Sequence, residues 1–185
     1  CGNGAADLIF RFVLAKRPKK ALILAPSFSE YEGALAVGEC EVSYYTLSNQ
    51  NGFRLTEDFL HQITDEVDTV VLCNPNNPTG RLIEPELLEK VAEQCQKTNT
   101  FLFLDECFLD FMEDGNERSM KNKLADNSSL LILKAFTKMY GIPGLRLGYC
   151  LCSDKELIEK MRSASQSWAV SVPAQAAGVA ALAET

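Results

Sequence analysis

Histidine is almost missing from this chain: His61 is the single one in 185 residues. That takes away most of the support for multi-histidine metal centres and for histidine-driven hydrolytic triads. Positive charge is in the minority as well, with 18 Lys and Arg against 25 Asp and Glu and a formal net charge of −7. A nucleic-acid backbone is gripped by clustered Lys and Arg, so this balance speaks against DNA or RNA as a partner. No CxxC pair occurs. The seven cysteines, at 1, 40, 73, 95, 107, 150 and 152, are odd in number and scattered. They read as reduced, buried core thiols of a cytoplasmic protein, not as a disulfide framework.

A basic and apolar leader before Cys1 is not expected, and neither repeats nor low-complexity tracts occur. The one long charge-free run, residues 163–183, is dominated by alanine and broken by Ser, Gln and Pro173. It suits an interior helix of a soluble protein better than a membrane span. Two nucleotide signatures fail. A GxGxxG fingerprint starting at Gly2 would need glycine where Asp7 stands and a strand before Gly2; Thr79-Gly80-Arg81 lacks the Gly-Lys pair of a P-loop. Glu113-Asp114-Gly115-Asn116 has neither the ligand spacing nor the terminal glutamate of a calcium loop and reads as a plain loop.

What is present, 46% hydrophobic against 23% charged residues, suits one folded domain with a real core. Short apolar runs at 21–25, 42–47, 69–73, 101–104, 130–133 and 147–152 predict strands. Helices are expected over 8–15, 29–37 and 85–96, with another opening at Thr56 as its N-cap. The charged stretches 84–93 and 154–162 read as solvated helix faces. Continuous apolar strands alternating with helices predict an α/β fold, three layers with a mostly parallel central sheet. Ligands of such sheets bind beyond the carboxyl ends of the strands. The residues there are chemically loaded: Phe28 after the first strand, Asn77 after the third, Asp105 and Glu106 after the fourth, Lys138 after the fifth. Gly4, Ala5 and Ala6 open the first helix, where free N–H groups and the helix dipole favour an anion.

Asn74-Pro75-Asn76-Asn77-Pro78-Thr79-Gly80, Asp105-Glu106, and Thr137-Lys138 followed by Gly144-Leu145-Arg146-Leu147-Gly148-Tyr149 resemble the signature of fold-type I enzymes dependent on pyridoxal phosphate. These form the aminotransferase class I/II superfamily, and the motif order matches along nearly the whole chain. The resemblance implies the aspartate-aminotransferase-like fold, with residues 1–185 as its large cofactor-binding domain. The family's N-terminal arm and small C-terminal domain would be absent, so the isolated domain is expected to bind cofactor with little or no turnover.

By the same resemblance, Lys138 holds the cofactor as a Schiff base, and Asp105 pairs with the pyridinium nitrogen to keep the ring an electron sink. A lysine acting so at neutral pH should be partly desolvated or close to other positive charge, such as Arg146. Asn77 would bond the phenolic oxygen, and Phe28 would stack on the ring. Backbone N–H groups of Gly4, Ala5 and Ala6, with Thr137 and Arg146, would hold the phosphate.

One position departs from the transaminase pattern. Where aminotransferases of the superfamily usually place a tyrosine three residues after the aspartate, this chain has Phe108. That resembles the threonine-phosphate decarboxylase branch of cobalamin biosynthesis, as do Pro26-Ser27-Phe28-Ser29-Glu30-Tyr31-Glu32 and the segment from Thr137 to Arg146. Trp168-Ala169-Val170-Ser171 matches that branch at two of four positions. The resemblance therefore implies a decarboxylase acting on a phosphorylated amino acid or amine, in a cytoplasmic homodimer with no membrane or nucleic-acid partner and no metal. The alternatives are a class I/II aminotransferase such as histidinol-phosphate aminotransferase, or a non-catalytic domain of the same fold.

Overall fold

Side chains of successive strand residues point to opposite faces, and every central strand of this chain is apolar on both. In β1 (Lys20–Ala25), Leu22 and Leu24 face one way and Ala21 and Ile23 the other. The same split recurs in β3 (Thr69–Cys73), β4 (Phe101–Asp105) and β5 (Leu130–Ala135). β2 (Glu41–Thr46) is the half-exposed edge and β6 (Gly148–Cys152) the other. The computed structural model, which describes residues 1–183, joins them in the order β2-β1-β3-β4-β5-β6. Neighbours are parallel except β6, which runs antiparallel to β5. This is the three-layer, mostly parallel α/β architecture that the alternation predicts.

On one face lie α1 (Ala5–Lys16), α2 (Ser29–Val37) and α6 (Lys155–Ser163), which contribute Phe12, Leu35 and Met161 to the core. Phe12 packs against Phe101 and Phe103, with ring centroids 5.4 and 4.8 Å apart. The opposite face is covered by α3 (Pro85–Lys97) through Leu87, Leu88, Val91 and Cys95, and by Phe59. A buried Leu, Val or Phe contributes roughly 1.5–3 kcal/mol, so these two cores hold the layers together. Two single-turn helices, α4 (Gly115–Arg118) and α5 (Phe136–Met139), interrupt the connections.

Four expectations need correcting. Residues Glu57–Gln62 form a 3-10 turn, not an α-helix. Thr56 sits at its N-cap position without capping it, because its hydroxyl pairs with Tyr45 Oη at 2.8 Å. The charge-free stretch is no interior helix. Helix α6 stops at Ser163, and α7 (Val172–Ala183) starts afresh with Ser171 Oγ accepting from the Ala174 N–H. Only Ala174 and Gly178 of α7 are buried, while Trp168 is 94% and Val172 77% exposed. Alanine offers too little apolar area to draw such a helix inward. Among the described residues no helix is long and apolar enough to cross a membrane. All seven cysteines are free, but Cys1 is exposed and Cys150 and Cys152 are half-buried; only Cys40, Cys73, Cys95 and Cys107 are core thiols. Residues 113–116 are in part helical, Gly115 opening α4, and no group of metal-binding side chains occurs among the described residues.

Candidate functional site

The parallel strands end at one edge of the sheet, and β6, running the other way, begins there. The turn before β6 therefore reaches the same rim as the residues after β1, β3, β4 and β5. Gly2 forms an antiparallel bridge to Gly148, N–H to carbonyl at 2.9 and 3.2 Å, which brings the start of α1 to that rim too. There a pocket of about 200 Å³ is lined by Ala5, Ala6, Phe28, Asn77, Asp105, Thr137, Lys138 and Arg146, together with Tyr31, Cys73, Cys107, Phe108 and Ala135. Eight of the nine residues expected to bind the cofactor thus meet in one cavity. Gly4, the ninth, stands behind it.

Gly4 has φ 85° and ψ 172°, a region open almost only to glycine, and a Cβ there would lie 2.6 Å from Arg146 Nη2. Its N–H donates to Gly2 O at 2.9 Å, so its part in the rim is the space its missing side chain leaves for the guanidinium. Ala5 and Ala6 open α1 and carry first-turn N–H groups. Asp7 Oδ2 takes the Asn3 N–H at 2.7 Å, and its carboxylate is paired with the buried Arg11, whose Nε lies 2.8 Å from Oδ1. Arg11 thereby neutralises the one acidic group of that first turn, leaving the positive end of the helix to the pocket. Gly148 completes the corner: a Cβ on it would meet the Ala5 nitrogen at 2.9 Å.

The opposite wall is built around Asp105, 4% exposed at the end of β4. Burial pushes its carboxyl above the usual aspartate range. The Cys107 and Tyr31 hydrogen bonds and the charge of Lys138 pull it back in part. Oδ1 accepts the Cys107 N–H at 2.8 Å, and Oδ2 accepts the Tyr31 hydroxyl at 2.6 Å. Burial also lifts Cys73 to about 12, so the thiol beside the carboxylate stays protonated. Lys138, in α5, is exposed and shares the pocket with Arg146, and its Nζ lies over the Phe108 ring, 5.0 Å from the centroid. Phe28 meets the Tyr31 ring edge-on at 5.6 Å.

Beneath the rim, the fully buried Glu106 accepts from Ser119 Oγ at 2.6 Å and from the Met120 N–H at 2.9 Å. Lys134, on β5, reaches both Glu106 (3.4 Å) and Asp110 (2.7 Å). This network ties the end of β4, which carries Asp105, to β5, which leads into the α5 turn that carries Lys138. Sequence reasoning missed Tyr31, Cys73, Cys107 and Lys134. Of these, Tyr31 carries a local signal, because it lies one helical turn beyond Phe28, and a buried phenol needs a polar partner.

The whole of residues 1–185 matches the family model described as aminotransferase class I and II. The chain belongs to the aminotransferase class I and II family. Within the family, it is 40% identical over 181 residues to the threonine-phosphate decarboxylase of Salmonella typhimurium, covering 98% of this chain and 49% of that protein. Its fold superposes on the crystal structure of histidinol-phosphate aminotransferase from Clostridium acetobutylicum with a TM-score of 0.85 at 29% identity, over 94% of this chain and 51% of that one. L-threonine-O-3-phosphate decarboxylase from Porphyromonas gingivalis gives a TM-score of 0.81, also at 29% identity, over 100% and 53% of the two chains. The chain spans about half the length of these relatives. The cofactor of the family is pyridoxal 5'-phosphate.

Proposed function

We propose that this chain is the large, cofactor-binding domain of a pyridoxal-phosphate enzyme that decarboxylates a phosphorylated amino acid of the threonine phosphate type. The residues fit the cofactor on the chain's own geometry. The Arg146 guanidinium takes the space that a Cβ on Gly4 would fill, and first-turn N–H groups of Ala5 and Ala6 adjoin it; these donors together suit a phosphate. A buried carboxylate and an exposed amine share one pocket with an aromatic ring and an amide. When bound, the cofactor supplies an electron sink for the carbanion left at the substrate's α-carbon.

The chain's own groups then have distinct tasks. Lys138 Nζ offers the primary amine that holds the cofactor covalently. Asp105 would pair with the ring nitrogen and keep a proton there, Phe28 would limit the ring's tilt, and Asn77 would offer its amide to the phenolic oxygen. Thr137 and Arg146 join the backbone donors on the phosphate. In the longer chain, further segments and a second subunit would shield this open rim and bind substrate; we place that enzyme in the cytoplasm as a homodimer, in cobalamin biosynthesis.

The observation that carries the choice of reaction is Phe108. Its ring stands beside Lys138 Nζ, and it brings no hydroxyl to the position where transaminases of the family supply one. Aminotransfer, as in histidinol-phosphate aminotransferase, is the alternative. The full-length enzyme incubated with threonine phosphate should release carbon dioxide and aminopropanol phosphate. Transfer of the amino group to 2-oxoglutarate without carbon dioxide would instead establish the transaminase.

A further inference from the structure

Tyr31 stands in the Pro26–Glu32 segment with no role assigned to it by the resemblance, yet it makes a buried contact to the central carboxylate. Its hydroxyl donates to Asp105 Oδ2 at 2.6 Å, while the Cys107 N–H donates to the other oxygen, Oδ1, at 2.8 Å. Both side chains line the pocket and both are buried, Tyr31 1% exposed. The groups facing Asp105 are Tyr31 from α2, Cys73 from β3, Cys107 from the turn after β4, and Lys138 from α5. Lys134 approaches Cys107 from β5. Of these, only Lys138 carries a positive charge next to the carboxylate, and it is exposed.

We propose that Tyr31 is a positioning residue: its hydroxyl holds the Asp105 carboxylate ionised and turned to the pocket, and through it sets the proton on the cofactor's ring nitrogen. This rests on the pyridoxal-phosphate reading above. The physical need is plain. A carboxyl group taken out of water favours its neutral form, and a neutral acid gives a pyridinium no counter-charge. Hydrogen bonds to the charged form oppose that loss. Burial and the Asp105 charge raise the phenol's own titration well above its usual value, so Tyr31 remains a donor across the working range. A purely packing role would need the ring, which meets Phe28 edge-on, but not the oxygen.

Removing the oxygen alone separates the two. Tyr31→Phe should raise the Asp105 carboxyl titration, followed by carbon-13 NMR in the cofactor-free chain, by about one pH unit, the size expected for a hydrogen bond to a charged acceptor. It should weaken pyridoxal phosphate binding at neutral pH by about tenfold and move the acid limb of the bound cofactor's visible spectrum up by about one unit. In an Asp105→Asn background the same substitution should change neither. Circular dichroism and melting confirm that each variant folds; if Tyr31→Phe does not, Tyr31→Leu, which also carries no donor, replaces it in the NMR measurement. An unmoved Asp105 titration, or equal weakening in both backgrounds, overturns the proposal. If the wild type gains no Lys138-dependent absorbance, the cofactor reading fails, while the Asp105 titration still decides what Tyr31 does.

Discussion

At residue 105 two demands oppose each other. Burial raises the Asp105 carboxyl above the ordinary aspartate value of about 3.9. A group whose folded pKa is raised contributes stability below its unfolded value and loses that contribution as pH rises through the folded one. Ionised Asp105 therefore costs the empty chain stability at neutral pH, yet only that form can face a protonated ring nitrogen. Cofactor affinity should accordingly be full above the raised value and fall as pH drops through it, at a pH higher than an exposed aspartate would give. Calorimetric titration against pH measures this, and Asp105→Asn should flatten the profile. Lys138→Ala should abolish the absorbance band that appears on adding pyridoxal phosphate, with little effect on melting because the side chain is exposed. Gly4→Ala forces a non-glycine residue to φ 85°, ψ 172° and drives a methyl against Arg146. It should cost on the order of 1–3 kcal/mol of stability by urea unfolding and weaken phosphate-bearing ligands more than tenfold.

At the scale of elements, the strands are the legible part of the sequence. Runs such as Val70 to Leu72 and Leu102 to Leu104 are apolar on both faces, and such runs have few alternatives to a covered parallel strand. Residues at strand ends inherit that legibility, which is why the family motifs and the strand pattern together point to eight residues of one cavity. The role of Tyr31 is not legible in the same way, because its hydroxyl partner lies 74 residues away. Glu57–Gln62 and α7 depart from expectation for a related reason: their outcome depends on what Thr56 pairs with and on how little area alanine buries, both tertiary facts. Between β4 and β5 the network of Lys134 is a single element-joining device. Lys134→Met would strand the fully buried Glu106 without a counter-charge, and should cost roughly 3–5 kcal/mol in urea unfolding.

Over the whole molecule, burial is uneven. β3, β4 and β5 are buried along their full lengths, whereas α7 buries two residues and leaves Val172 and Val179 largely open, as is Trp168 just before it. Local opening free energies follow such differences. Hydrogen exchange should therefore show α7 amides exchanging far faster than those of the central strands, and a matching protection of α7 would contradict the packing described. The cavity lies at the carboxyl ends of β1, β3, β4 and β5, so its walls are anchored in the most deeply buried strands even though Lys138 and Arg146 at its rim are exposed.

The pairing of Gly2 with Gly148 has a consequence for how this protein is made. The two halves of the anion corner stand far apart in the sequence, so a ribosome delivers Gly148 long after Gly2. A nascent polypeptide ending before that second glycine has Ala5 and Ala6 but not the strand that closes behind them, so this corner is among the last features of the rim to assemble.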